Sequence, residues 1–152
     1  MSAALKALLQ RVSEAGVSVD GESVAEIAAG LLILLCVEAG DDEDAAEFLA
    51  RKTAALRIFD DEAGRMNRSV TEFGGHALVV SQFTLAADTR RGNRPSYSGA
   101  VPPEAARVLC ERYCESLAGH GVPLQRGVFG ARMAVRLVND GPVTIWLDSR
   151  NR

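Results

Sequence analysis

Two short stretches concentrate groups that can do chemistry. Residues 81–85 read Ser-Gln-Phe-Thr-Leu, and residues 139–144 read Asn-Asp-Gly-Pro-Val-Thr. The first sets Ser81, Gln82 and Thr84 around Phe83: two hydroxyls and an amide beside an aromatic wall. Such a set can hold a polar ligand, and a hydroxyl becomes a nucleophile if a base stands beside it. The alternative is a strand end whose polar side chains cap backbone groups. The second stretch holds Asp-Gly between apolar segments, which is hairpin chemistry, and Pro142 after Gly141 suits a turn. An X-Pro bond is cis in only about 5–6% of cases in folded proteins, so residue chemistry alone gives no ground for a cis bond here.

The reactive inventory is otherwise thin. His76 and His120 are the only histidines, so any Ser-His-Asp or Cys-His apparatus depends on one of the two. His76 opens an apolar run and reads as a strand-edge residue. The common elbow, phosphate-loop, dinucleotide and zinc-protease signatures are absent. Cys36, Cys110 and Cys114 make an odd count without paired spacing, which argues against a secreted disulfide framework. Cys110 and Cys114 lie one helical turn apart, and no further ligands complete a zinc site. A reducing cytoplasm fits such thiols. The acidic run at 41–44 lacks the spacing and glycine of a calcium loop. No metal or cofactor is expected.

The elements that position these stretches follow from the pattern. Two apolar segments span 8–19, Asp20-Gly21 marks a hairpin, and 28–37 forms a buried strand, far short of the ~20 residues a membrane helix needs. The start of the chain lacks an export signal's apolar core and cleavage site. Asp41 or Asp42 caps a first helix whose apolar spacing runs through Phe48, Leu49 and Leu56. Residues 56–59 read as extended, 60–64 as a turn, and 76–85 as one long strand. Arg90, Arg91 and Arg94 fall in a loop over 86–99. Pro102-Pro103 opens a second helix with Ala106, Leu109, Cys110, Tyr113 and Leu117 on its apolar face. Strands are expected at 124–129, 132–138 and 143–147, with the last two joined by a turn at 139–142. A chain of 152 residues with 47% apolar content suits one domain with a real core. The sum is a single α+β domain over 1–152, a mostly antiparallel, barrel-like sheet system with two principal helices.

Larger blocks then align with a known family. Gln10-Arg11-Val12, LRIFDDEAGRMN at 56–67, VVSQFTLAADTRRGNRPSYS at 79–98, GVFGARM at 127–133 and NDGPVTIWLDS at 139–149 resemble the D-aminoacyl-tRNA deacylases over nearly the whole chain. The resemblance implies a homodimer in which Ser81, Gln82, Phe83 and Thr84 line one pocket, and a cis Gly141–Pro142 pair enters from the other subunit. Main-chain oxygens of Gly141 and Pro142 would then meet the substrate's α-carbon, where an L-side chain collides and a D-side chain points away. The implied reaction is hydrolysis of the ester between a D-amino acid and the terminal adenosine of tRNA, with glycine as a side substrate. A ribose 2′-hydroxyl assists, and a backbone N–H near Phe83 and Thr84 steadies the oxyanion. Thr84 as covalent nucleophile is the second choice. The resemblance also places Phe129 and Met133 near the adenosine pocket, where a plain core role is the alternative, and gives Arg11 a supporting role at the Gly-Pro loop. The three loop arginines can meet phosphates or simply be solvated.

The expected partners are D-aminoacyl-tRNA and a second copy of the chain, without DNA or a membrane. A formal charge of −3 excludes a generally basic nucleic-acid coat. Two rival functions remain: a non-catalytic RNA or small-ligand binder of the same fold, and an aminoacyl-ester hydrolase without chiral selectivity.

Overall fold

The computed structural model describes residues 5–38, 40, 42–97 and 101–152. Asp41 as a helix cap, the first four residues and the end of the arginine loop at 98–99 lie outside these. The elements run β1 (Lys6–Val19), β2 (Glu22–Ile27), β3 (Gly30–Cys36), α1 (Glu43–Ala55), β4 (Phe59–Asp60), β5 (Met66–Arg68), α2 (Val70–Phe73), β6 (His76–Ser81), a 3₁₀ turn (Phe83–Ala86), α3 (Pro103–Gly119), β7 (Leu124–Arg126) and β8 (Ala134–Asp148).

β1 organises the sheet. Its first half pairs antiparallel with β3, from Lys6↔Cys36 to Val12↔Gly30. Its second half pairs with β2 through the Asp20-Gly21 turn. Both turn residues take positive φ, 51° and 81°, the backbone that a two-residue hairpin demands. β8 covers the opposite edge of β1 along its whole length. On the far side β3, β6 and β7 run parallel. Parallel neighbours need crossovers, and α1 with the β4–β5 hairpin and then α3 supply them. β3, GLLILLC, is buried along nearly all its length, as a strand covered on both faces must be. The sheet bends into a nearly closed barrel, and antiparallel pairs predominate. No helix among the described residues is long and apolar enough to cross a membrane.

Two cores result. Leu5, Leu9, Leu31, Ile33 and Leu35 pack on α1 and α3 through Leu49, Tyr113 and Leu117. The Tyr113 hydroxyl, fully buried, shares a 2.8 Å hydrogen bond with Thr53, which joins the two helices. On the other face Val12, Ala15, Val17, Leu32, Leu78 and Val80 meet Met133, Val135 and Leu137.

Several sequence expectations change. The two segments at 8–19 are one strand, because Arg11 pairs with Leu31 of β3 and Glu14 with Val138 of β8, so neither polar residue ends it. The strand expected over 76–85 stops at Ser81 and turns into the 3₁₀ element. The strand expected at 124–129 stops at Arg126. Most consequential, 132–138 and 143–147 are not a hairpin: the first begins only at Ala134, and 134–138 and 143–147 both belong to β8 and pair with β1, not with each other. Asp-Gly-Pro chemistry permits a reversal, but a 14-residue partner strand offers ladder bonds to both flanks. One helix was missed. Ser69 and Glu72 form a reciprocal capping box at the start of α2, a Ser-x-x-Glu signal that is legible in the sequence. At α1, Asp42 is the cap and accepts from the Ala45 N–H at 2.9 Å.

Candidate functional site

β6 ends in the site. The Gln82 N–H donates to the Leu35 carbonyl at 2.8 Å, which ties the segment to the end of β3. Two buried thiols back it: Cys36 Sγ lies 3.8 Å from the Phe83 carbonyl and Cys110 Sγ 3.9 Å from Ser81 Oγ. The chain then tightens into the 3₁₀ turn, whose first N–H groups have no intrahelical acceptor. Among the described residues the N–H groups of Phe83 and Thr84 donate to nothing. Phe83 is 60% exposed and meets Tyr97 edge-to-face at 5.1 Å.

Beside this turn lies a cavity of about 480 Å³. Ser81, Gln82 and Phe83 line it together with Phe129 and Met133, and the start of α3 closes it through Pro103 and Ala106. The structure thus gathers five of the residues singled out from the sequence. Among the described residues none that lines the cavity is ionisable. Thr84 is exposed and off the cavity wall; its Oγ1 accepts from the Gln82 side-chain amide. No histidine or carboxylate among the described residues bonds to that hydroxyl. Burial pushes the Cys110 thiol up to about 11 and the Cys114 thiol up to about 12, so both are protonated and inert at neutral pH.

Gly141 and Pro142 lie elsewhere on the same protomer, exposed on β8. Between Gln10↔Thr144 and Val12↔Asn139 the ladder advances two residues on β1 and five on β8, so the Gly-Pro segment bulges out of the sheet. The Gly141–Pro142 peptide is cis, as the resemblance implies. The side chains of Asn139 and Arg11 hold the bulge. Asn139 Nδ2 donates to the carbonyls of Arg11 and Val143, at 3.0 and 3.1 Å, and so closes its neck. Arg11 Nε donates to the Asp140 carbonyl at 3.2 Å and stands 3.3 Å from the Asp140 carboxylate. Arg11 is only 7% exposed, and a buried cation needs partners. Its Nη1 donates to the Ile58 carbonyl at 2.9 Å and to Asp60 at 3.3 Å. At Gly141, φ is +123°, and a Cβ would fall 2.7 Å from Arg11 Nη2 and 2.8 Å from Val143 Cγ2. Only glycine suits that position.

Sequence reasoning gave no role to Tyr97, Asn139 or Asp60. All three stand inside the quoted blocks and so carried a signal; what the sequence did not show is that the β4–β5 hairpin brings Asp60 to Arg11.

This architecture is shared with solved structures. One titled "c-Myc DNA Unwinding Element Binding Protein" superposes with a TM-score of 0.87 at 38% identity, covering 93% of this chain and 97% of that one. A second, a probable eukaryotic D-amino acid tRNA deacylase, has a TM-score of 0.81 at 18% identity over 95% and 99% of the two chains, a likeness of fold alone. Fold and cavity together define an α+β protein with a nearly closed sheet beside an apolar pocket. A family model described as D-Tyr-tRNA(Tyr) deacylase matches residues 8–148. The D-aminoacyl-tRNA deacylase of Thermomicrobium roseum is 61% identical over 145 residues, covering 95% of this chain and 94% of the relative. That of Paracoccus denitrificans is 59% identical over 148 residues, 97% and 99% of the two chains. The chain belongs to the D-aminoacyl-tRNA deacylase family.

Proposed function

We propose that this protein hydrolyses the ester that joins a D-amino acid, or glycine, to the terminal adenosine of tRNA, acting as a cytoplasmic homodimer of one domain per chain. The observation that carries this reading is a cavity with no ionisable wall residue beside two N–H donors without an acceptor, both among the described residues. Such a site holds and orients a substrate but lacks a side-chain base. An aminoacyl ester is already activated, and positioning alone is worth much. The water oxygen attacks the ester carbonyl carbon, and the N–H groups of Phe83 and Thr84 donate to the developing oxyanion. The carbon–oxygen bond to the ribose breaks, and the ribose oxygen leaves with a proton. The substrate's own 2′-hydroxyl orients and activates the water. Ser81 and Gln82 supply polar contacts, while Phe129 and Met133 bound the apolar end where the adenosine sits.

Chiral selection needs a second copy. Gly141 and Pro142 are exposed and lie outside their own protomer's cavity, so in this reading they serve the partner's. Their carbonyls then face the α-carbon, where an L-side chain collides. Glycine has no side chain to reject. Arg11 and Asn139 hold this segment in place. Three cysteines with no disulfide among the described residues fit a reducing compartment.

Deacylation of D-Tyr-tRNA, L-Tyr-tRNA and Gly-tRNA tests the reading. Cleavage of the D and glycyl esters with the L ester intact is expected. Cleavage of none supports a binder, and cleavage of all three an unselective hydrolase. Thr84→Val separates the two mechanisms. Turnover within about tenfold of wild type is expected; a loss of about a thousandfold or more would restore Thr84 as nucleophile.

A further inference from the structure

The loop that follows the 3₁₀ turn leaves the cavity rim at Ala86 and returns at Tyr97. Its base is closed by a two-way backbone bridge between Asp88 and Ser96, at 2.8 and 2.9 Å. Three arginines stand on it against one aspartate, a local excess of two positive charges in a chain of net −3. They are not equivalent. Arg90 folds back on Asp88, donating from its backbone N–H and Nε at 3.0 Å and from Nη2 at 2.8 Å. These contacts hold the Asp88 carboxyl at about 2, so the brace is charged at any working pH. Arg91 and Arg94, on either side of the positive-φ Gly92, are exposed and have no hydrogen-bond or ion-pair partner among the described residues. The only carboxylate on the loop is already taken, so both guanidiniums stand unpaired among the described residues on a loop that is rooted at the cavity through Ala86.

A 3′ terminus seated in the cavity must bring its preceding phosphates past this rim. We propose that Arg91 and Arg94 bind the phosphates of the tRNA strand leading to the aminoacylated end, while Arg90 is an internal brace that shapes the loop. Guanidinium forks match phosphate oxygens. The proposal rests on the tRNA reading above and locates where the strand runs. It also reconciles an acidic chain with an RNA substrate, since a footprint of two phosphates needs no basic surface.

Binding of deacylated tRNA, followed over a potassium chloride series, tests it apart from catalysis. Each phosphate contact adds about 0.7 to the slope of log affinity against log salt for single strands. The Arg91→Ala/Arg94→Ala double variant is expected to lose about 1.4 from that slope and to bind several-fold more weakly at low salt. The Arg91→Lys/Arg94→Lys variant is expected to recover most of the slope, and Arg90→Ala to change it by less than half as much as the double variant. An unchanged slope in the double variant overturns the proposal. So does an equal loss in Arg90→Ala, which would mean that total charge and not placement matters. Thermal melting of each variant detects misfolding, and the lysine variant keeps the result decisive if the alanine one unfolds. A wild type that binds with the expected slope but deacylates nothing leaves this proposal standing and refutes the catalytic reading.

Discussion

The 81–86 turn and the 139–143 bulge are built by opposite means. The turn is a seam between packed elements: a ladder bond to Leu35, two thiols behind it and an apolar cavity in front. Its useful groups are two N–H donors left over by the geometry of a short turn. The bulge is a loop of backbone held out of a sheet by polar side chains, with Asn139 across its neck and Arg11 beneath it. In the proposed function its useful groups are carbonyls. Packing is tolerant of small changes, because neighbours of similar size can shift. A polar clamp around a positive-φ glycine is not, because each bond has one geometry. The difference implies that lesions in the bulge should harm selection sharply and lesions around the cavity should erode binding gradually.

Gly141→Ala should give the largest effect. The added Cβ meets Arg11 Nη2 and Val143 Cγ2 inside contact distance, and alanine disfavours a φ of +123°. A displacement of about 1 Å costs on the order of a hundredfold, so kcat/KM on D-Tyr-tRNA should fall about that much. Equal loss from a conservative change at the cavity would erase the contrast.

Arg11→Met should come next. It leaves Asp140, Asp60 and the Ile58 carbonyl without their shared donor. Both aspartates are more than half exposed, so the loss should be modest, about 2 kcal/mol of stability, or a melting point lower by roughly 6 °C. Selectivity should suffer with it: L-Tyr-tRNA cleavage should rise relative to D-Tyr-tRNA. A stability loss with unchanged selectivity would make Arg11 a fold residue only.

Phe129→Ala should raise KM about tenfold with little change in kcat, since it removes wall area and no reacting group. A fall in kcat alone would place Phe129 nearer the chemistry than the cavity suggests.

The smallest effect should come from the two buried thiols of α3. Burial raises Cys110 and Cys114 above their ordinary value of 9.0. The folded state then holds more protons than the unfolded one between about pH 9 and the raised values. Their contribution to stability is therefore complete below pH 9 and is lost as pH climbs toward 11 and 12. Thiol labelling at pH 8 should be slow in the native protein and fast in denaturant, and Cys114→Val should leave deacylation within about twofold. Rapid native labelling would show the turn to be looser than its packing.

Much of this was legible in the sequence where the physics is local. Asp20-Gly21 carried its hairpin, Pro102-Pro103 its helix start, and GLLILLC its doubly covered strand. The two motifs were visible too, because a hydroxyl–amide–aromatic cluster and an Asn-Asp-Gly-Pro run are unusual by composition. Legibility failed where a segment's state depends on a distant partner. Residues 139–142 read as a turn until β1 proved long enough to pair with both flanks. Residues 82–85 read as strand until the Leu35 carbonyl and the cavity edge ended β6.

The sequence by itself determined the fold class, the family and the two stretches that matter, since periodicity, turn chemistry and motif spacing are properties of neighbours along the chain. Only the tertiary structure decided that, among the described residues, Thr84 stands off the cavity wall, the cavity lacks an ionisable group, Arg90 is spent on Asp88 while Arg91 and Arg94 are not, and Gly141 and Pro142 lie outside their own protomer's cavity. These are facts about which side chains meet across space. They depend on register, bends and closure, which arise from packing of the whole sheet and are written in no single stretch of residues.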